Sequence, residues 1–199
     1  MRTARAGRRT VSPSAEVLVP YLPALAVRRW IAAGEAAPAG MVVHLAGAAL
    51  FADVVGSTAL AARVAEQGMG GAEQLGAILS GAFDQLIEVI AAHGGDVVSF
   101  AGDALLAFWP AEPPDDLAAA AARAAVCALE VQGRVAGREL ADGIRLALHI
   151  GIGAGPAAVW VLEGTAGHCE CVVAGACVRQ SASAHERAEG GEVVLAPEA

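Results

Sequence analysis

The chain has 199 residues, a length that suits one α/β domain with a sizeable core. Its residues are 56% hydrophobic, which argues against disorder, although much of that fraction is alanine. The net charge is −8, and the chain contains no lysine, which argues against a nucleic-acid partner. No uninterrupted apolar run reaches about 18 residues, so the sequence predicts no membrane span.

The N-terminal residues differ in composition from the rest. Residues 1–16 carry four arginines and predict a basic, flexible tail. Residues 17–199 are predicted to form one domain, which begins with a short amphipathic helix over residues 21–33. Because the chain stops just after a predicted strand, we expect it to be a fragment of a longer one.

The first half of the domain alternates strand and helix. An apolar run over residues 41–55 predicts a strand buried on both faces. Helical patterns follow over residues 58–63 and 71–93. Two short apolar runs, at residues 97–100 and 104–109, then predict a β-hairpin around a turn that contains Gly102.

The second half predicts a helix, a second hairpin, and a strand–helix–strand ending. The predicted elements, in order, are a helix over 113–135, strands over 144–151 and 157–162 that pair with each other, a strand over 171–174, a helix over 175–188 and a strand over 192–196. The first six elements of the domain predict an α+β fold with a βαββαβ ferredoxin-like core.

One carboxylate interrupts the apolar run of the first strand. Asp53 lies near its end, and Gly56, Ser57 and Thr58 follow at the start of a helical pattern. Such an aspartate can hold a divalent cation while helix-start N–H groups take phosphate oxygens. The alternative is that Asp53 only caps the turn and that Ser57 or Thr58 is the helix N-cap.

A second carboxylate, Asp103, lies at the tip of the predicted hairpin. Two carboxylates that converge at strand ends would form an oxygen-rich site for Mg²⁺ or Mn²⁺. They could hold two ions about 3.5–4 Å apart, the usual arrangement for in-line displacement at phosphorus.

Cysteine usage does not predict a disulfide framework in a domain of this size. The sequence His168-Cys169-Glu170-Cys171 contains half of a zinc site, but no second half with ligand spacing follows it. We therefore expect reduced, partly buried thiols.

Together, FADVVGST and the later HGGDVVSFAGDALLAFW resemble the catalytic domain of class III nucleotidyl cyclases. The resemblance extends from about residue 17 to the C-terminus and is greatest to the first catalytic half of the soluble, bicarbonate-responsive adenylyl cyclases and their bacterial relatives. It implies a cytoplasmic domain that forms a 3′,5′-cyclic nucleotide from ATP or GTP with two Mg²⁺ or Mn²⁺ ions. It also implies a partner, either a second cyclase half or a second copy of the chain.

The resemblance also implies roles for particular residues. Asp53 and Asp103 would be catalytic and hold both metal ions, and the Val54 carbonyl would complete one metal shell. The remaining positions would bind nucleotide, with the phosphates near the first motif and the base near the second. They are Val54, Val55, Gly56, Ser57, Thr58, Ser99, Phe100 and Gly102.

Other positions depart from the family. Ser99 replaces the base-reading lysine, and Arg179 and Ser183 stand where a complementary half carries its transition-state Asn and Arg. The bicarbonate-binding arginine of the soluble enzymes falls near Ala182. Three interpretations remain: a cyclase half that needs a partner, a degenerate nucleotide-binding regulatory module, and a palm domain of polymerase type. If the first is correct, we expect the surface near Phe100 and Trp109 to belong to a dimer face.

Overall fold

The computed structural model describes only part of the chain. The described residues are Leu25, 41–56, 69–111, 116–135, 139–140, 144–145, 147–163 and 169–199. Two compact units are present, Met1–Ala37 and Pro38–Ala199. In the first unit only Leu25 is described, and it is helical and buried. The predicted tail, most of the helix over 21–33, the helix over 58–63, and Ser57, Thr58 and His168 lie outside the described residues.

The centre of the second unit is strand β1 (Met41–Val54). It pairs antiparallel with a neighbour on each side, so both of its edges are covered. Residues 47–50 are buried, as expected for a strand covered on both faces. The residues near the start of β1 are less buried, and Val42 is 40% exposed. The predicted strand is confirmed, but only its middle residues are buried on both faces of the sheet.

The hairpin predicted after the first helix is confirmed. It consists of β2 (Asp96–Ala101) and β3 (Ala104–Pro110), which pair antiparallel. Gly102 has a φ of 66° in the tight turn between them, a backbone conformation that glycine adopts without steric cost. The turn therefore places Asp103 directly before the first residue of β3.

Two helices cover one face of the sheet. They are α1 (Met69–Ala92) and α2 (Leu117–Val135). Asp116 caps α2, because its Oδ1 accepts a 2.8 Å hydrogen bond from the Ala119 amide. Between these helices and the sheet lies the main hydrophobic core, to which β1 contributes Ala48, Leu50, Ala52 and Val54.

The predicted second hairpin is wrong. Residues 148–163 form one continuous strand, β6 (Leu148–Glu163), which pairs with β1 along that strand's whole length. The Gly155-Pro156 step does not turn, since the extended ladder with β1 continues through it and Gly155 takes a φ of 148°. Before it, β4 (Glu139–Leu140) and β5 (Ile144–Arg145) pair only with each other.

The C-terminal strand–helix–strand is confirmed. It consists of β7 (Cys169–Gly175), α3 (Ala176–His185) and β8 (Val193–Leu195). The sheet order is β2-β3-β1-β6-β7, and β8 pairs parallel with β6. The elements β1, α1, β2, β3, α2 and β6 form the predicted ferredoxin-like core.

Helix α3 lies against the face of β6 opposite to the main core. A side chain at Gly151 would place its Cβ 2.1 Å from the Ser181 carbonyl oxygen, and one at Gly153 would meet the Cys177 carbonyl oxygen at 2.2 Å. Glycine at these positions lets the helix backbone touch the strand. The C-terminal end of α3 is thereby held close to the end of β1.

Candidate active site

Asp53 is the penultimate residue of β1, and its side chain lies on the face of the sheet that α3 covers. Its strand partners are Ala104 in β3 and His149 in β6. The side chain is 32% exposed, yet its Oδ1 atom is buried and has no hydrogen-bond partner among the described residues. A buried carboxylate oxygen without a partner is costly, so this position calls for a ligand.

Asp103 precedes Ala104, the direct partner of Asp53, so the hairpin brings the two carboxylates to one end of the sheet. Burial raises the pKa of Asp53, and the negative charge of Asp103 raises it further. The Val54 amide and two histidines lower that pKa. A cation between the carboxylates would relieve their repulsion. The sequence-based expectation that Asp53 and Asp103 lie near one another agrees with this geometry.

Two histidines complete the surroundings of Asp53. His185, in the last turn of α3, places its Nε2 atom 4.0 Å from Oδ2 of Asp53, and that Nε2 is buried without a hydrogen-bond partner among the described residues. Its ring meets Phe51 edge-on at 4.9 Å and His149 at 5.7 Å, centroid to centroid. Burial lowers the pKa of His185, although the charge of Asp53 opposes that shift.

Sequence reasoning missed both histidines. The alternation in residues 144–151 did place His149 on the opposite face from Leu148 and Ile150. On α3, His185 is four residues after the buried Ser181 and therefore near the same helix face. Nothing in the sequence showed that β6 pairs with β1 in the register that sets His149 opposite Asp53.

The loop after β1 is only partly described. Val54 is buried, and the Val55 amide donates a 2.9 Å hydrogen bond to the Ala147 carbonyl. In this structure the Val55 amide is satisfied within the fold, and a role for Val55 in nucleotide binding stays a prediction. Gly56 is exposed at the turn.

The residues expected near the base lie on the hairpin. Ser99 is exposed beside a β-bulge, and Gly102 is exposed in the turn. Phe100 is 53% exposed and meets Phe83 edge-on at 5.7 Å. Trp109, in contrast, is fully buried, and its Nε1 donates a 3.0 Å hydrogen bond to the His93 carbonyl. The Trp109 ring packs into the main core, so the predicted dimer face near Phe100 and Trp109 can include the Phe100 ring but not the indole, and it stays a prediction.

The departures from the family on α3 lie away from Asp53. Arg179 and Ser183 are exposed. With Arg187 they line a cavity of about 330 Å³ between α3 and the C-terminal residues, to which Glu198 also contributes. Neither Asp53 nor Asp103 lines this cavity. The helix therefore presents His185 to Asp53 and these arginines elsewhere.

Oxygen donors at Asp53 and Asp103 fit Mg²⁺ or Mn²⁺, as the unpartnered Oδ1 atom also indicates. Within the described ranges, no group of three or more His, Cys, Asp or Glu side chains is placed to hold an ion without help. An ion at this site would therefore need further donors, such as backbone carbonyls or the oxygens of a bound ligand.

Cys127, Cys171 and Cys177 are free thiols, of which Cys127 and Cys177 are buried and Cys171 is partly buried. Burial raises the pKa of Cys127 to about 12 and that of Cys171 to about 11. None of the helices in the described part of the chain is both long and apolar enough to cross a membrane.

Comparisons with known proteins agree with this fold. Human adenylate cyclase type 10 is 32% identical to the chain over 153 residues, which are 76% of the chain and 9% of that protein. The adenylyl cyclase CyaB from P. aeruginosa superposes with a TM-score of 0.64 at 21% identity, over 78% of each chain. The dimeric guanylyl cyclase domain of the RhoGC fusion protein from Blastocladiella emersonii gives 0.63 at 18% identity, over 79% of this chain and 82% of that one.

No protein-family model matches the chain. The solved structures show that its fold is that of nucleotidyl cyclase catalytic domains. The chain belongs to the class III nucleotidyl cyclase family, because its identity to the human enzyme extends over three quarters of its length. It spans only about a tenth of the length of the curated relatives that it matches.

Proposed function

We propose that this chain is the metal-binding half of a nucleotidyl cyclase site, which converts ATP or GTP to a 3′,5′-cyclic nucleotide and pyrophosphate. The observation that carries the proposal is that Asp53 and Asp103 lie at the same end of the sheet, since Asp53 pairs with the residue after Asp103, and that a buried oxygen of Asp53 has no partner among the described residues. Human adenylate cyclase type 10, the relative named above, supports the reaction class.

The reaction forms one bond and breaks another. The ribose 3′-hydroxyl gives up its proton to solvent as its oxygen attacks the α-phosphorus of the same nucleotide, the bond from that phosphorus to the oxygen that bridges to the β-phosphate breaks, and pyrophosphate leaves with that oxygen. Two divalent ions, when bound, would neutralise charge on the phosphates. The chain's own part is to hold those ions with Asp53, Asp103 and the Val54 carbonyl and to orient the nucleotide.

The nucleotide would lie across the end of the sheet. Gly56, Ser57 and Thr58 would take the terminal phosphates, since the Val55 amide is already used within the fold. Ser99, Phe100 and Gly102, which the hairpin exposes, would lie towards the base. A serine hydroxyl both donates and accepts hydrogen bonds, so we expect weak discrimination between adenine and guanine.

A partner would supply the opposite wall of the site. Arg179 and Ser183 stand where transition-state groups are expected, and here they line a separate cavity on α3. We therefore propose a second cyclase half, or a second copy of this chain, as the partner. The free thiols suit a cytoplasmic setting.

The metal assignment is tested by calorimetry of Mn²⁺-dependent ATP binding. Asp53→Asn and Asp103→Asn should each weaken binding by about tenfold or more, because each removes one of two anionic donors. Asp84→Asn is a matched control, since Asp84 is an exposed carboxylate on α1. Wild-type affinity in both site variants would contradict the assignment.

Turnover is tested by product formation from ATP and from GTP with Mn²⁺. The chain alone should give only trace product, because one missing electrostatic stabiliser typically costs about 10²–10³-fold in rate. Adding a cyclase half that carries the Asn and Arg should restore turnover. Metal-dependent nucleotide binding without any rescue would instead favour a regulatory module, and strong turnover by the chain alone would show that Arg179 or a neighbour fills the missing role.

A further inference from the structure

We propose that His185 gives an imidazole nitrogen to the divalent ion held by Asp53, and that the site therefore selects Mn²⁺ over Mg²⁺. This inference rests on the proposed function, because it assigns a further ligand to the same site. It comes from two buried atoms of neighbouring side chains, neither of which has a hydrogen-bond partner among the described residues.

Those two atoms are Oδ1 of Asp53 and Nε2 of His185, which are buried and have no hydrogen-bond partner among the described residues. Each unsatisfied buried polar atom is destabilising, because it has given up its hydrogen bonds to water without replacing them. Because Nε2 of His185 lies 4.0 Å from Oδ2 of the same carboxylate, the two unpartnered atoms favour a ligand shared by these side chains. An acceptor oxygen and a ring nitrogen with an available lone pair are both donors to a cation.

The distance between the two side chains supports a bridging ion. Nε2 of His185 and Oδ2 of Asp53 are 4.0 Å apart, which is too far for a direct hydrogen bond. Bonds from a small divalent ion to nitrogen or oxygen are about 2.0–2.2 Å long, so an ion close to the line that joins Nε2 and Oδ2 could reach both of these atoms. The negative charge of Asp103 acts on Asp53 and would add to the attraction of that carboxylate for a cation.

The fold holds the His185 ring in position. Its backbone lies on β6, where a Cβ on Gly151 would be 2.2 Å from the His185 amide nitrogen. The edge contact with Phe51 fixes the ring from the β1 side, and His149 packs against it from β6. The side chain is only 17% exposed. A ligand fixed in this way loses little conformational freedom when an ion binds.

Ligand chemistry sets the expected selectivity. Mg²⁺ prefers an octahedral shell of oxygen atoms and gives up its waters reluctantly. Affinity for mixed nitrogen and oxygen donors increases from Mn²⁺ along the first transition row, and imidazole is a good ligand for those metals. Because His185 contributes nitrogen, its loss should weaken Mn²⁺ binding much more than Mg²⁺ binding.

The test is pulsed electron paramagnetic resonance on Mn²⁺ bound to the full chain, with and without a non-hydrolysable ATP analogue. Electron spin echo modulation from a coupled ¹⁴N nucleus should be present, and it should change when the histidines alone are labelled with ¹⁵N. This labelling experiment needs no substitution, so a variant that fails to fold cannot decide it. It also separates histidine nitrogen from the nitrogens of adenine.

A set of glutamine variants then assigns the nitrogen to one residue. His185→Gln should remove the modulation and weaken Mn²⁺ binding about tenfold, with Mg²⁺ affinity changed less than about twofold. His149→Gln and His44→Gln should keep the modulation, and His44 is a matched control because it is an exposed residue of β1 far from Asp53 in the strand. Circular dichroism checks that each variant is folded.

The outcomes separate this inference from the proposed function. Mn²⁺ binding that depends on Asp53 but shows no histidine nitrogen would overturn the role of His185 and leave the metal site in place. A modulation that survives in His185→Gln would do the same. Mn²⁺ binding that Asp53→Asn does not weaken would overturn both.

Discussion

The two faces of β1 and β6 are buried in different ways. On one face, Leu50, Ile150 and Ile152 pack against α1 and α2 in a continuous apolar core. On the other face, the backbone of α3 touches β6 directly at Gly151 and Gly153. On the first face, closely packed apolar side chains fill the space between helices and sheet. On the second face, glycines without side chains let the helix backbone contact the strand backbone.

This difference explains where the candidate site lies. A helix that packs on side chains is kept away from the sheet by their volume, and those side chains fill the space between them with apolar groups. Helix α3 comes closer, and its last turn brings His185 to Asp53. Polar and titratable groups can lie on this face because a third of the Asp53 side chain still reaches solvent. The comparison indicates that the α1 and α2 face supplies stability and the α3 face supplies the site.

The largest expected effects come from substitutions at two neighbouring residues of β6 that lie on opposite faces of the sheet. Ile152→Ala should lower the free energy of unfolding by about 4 kcal/mol, because it leaves a cavity in the core. Gly153→Ala should lower it by about 2–3 kcal/mol for the opposite reason, because the new Cβ would overlap the α3 backbone. Urea denaturation measures both values.

Gly81→Ala is the matched control for the glycine substitution. Gly81 lies within α1 with open space where a Cβ would be, so alanine there should stabilise the protein by about 0.5–1 kcal/mol. Gly153→Ala should also weaken Mn²⁺ binding, since it displaces the helix that carries His185. If Ile152→Ala weakened metal binding as much, the two faces would not be functionally separate.

The alkylation rates of two buried cysteines report how easily each face of the sheet opens to solvent. Cys127 of α2 belongs to the main core, whereas Cys177 of α3 lies outside it, and both are fully buried. We expect Cys177 to be alkylated at least about tenfold faster under native conditions, because the ten-residue α3 can open locally. Peptide mapping by mass spectrometry after timed labelling measures both rates. Equal rates would mean that the two faces open together.

The smallest expected effect is the contribution that ionisation of Asp53 makes to the stability of the metal-free protein. Burial raises its pKa above the unfolded value, so the native state binds this proton more tightly than the unfolded chain does. The contribution of this group to stability therefore falls as the pH rises from its ordinary pKa of 3.8 through the raised native value, and stays low above it.

Asp53→Asn should remove that pH dependence and stabilise the metal-free protein at neutral pH. The gain should be below about 1 kcal/mol, because the side chain is partly exposed and solvent screens its charge. Thermal denaturation from pH 4 to pH 8 in a chelating buffer measures the effect. A loss of stability at neutral pH would show that Asp53 has a stabilising partner.

Local patterns were enough to predict much of the fold. The apolar run of β1, the three-and-four spacing in α1 and the Gly102 turn each specify an element through neighbouring residues alone. The prediction failed at β6, where a Gly-Pro step that is typical of a turn lies within a continuous ladder. Pairing with β1 over its whole length outweighed that local preference.

The sequence by itself determined the strand ends that carry Asp53 and Asp103, because each follows an apolar run and lies beside a glycine turn. Only the tertiary structure decided what surrounds them. His149 reaches Asp53 through the register between β1 and β6, and His185 reaches it because Gly151 and Gly153 let α3 lie on the strand. Contacts between residues far apart in the chain depend on pairing and packing, which no local pattern encodes.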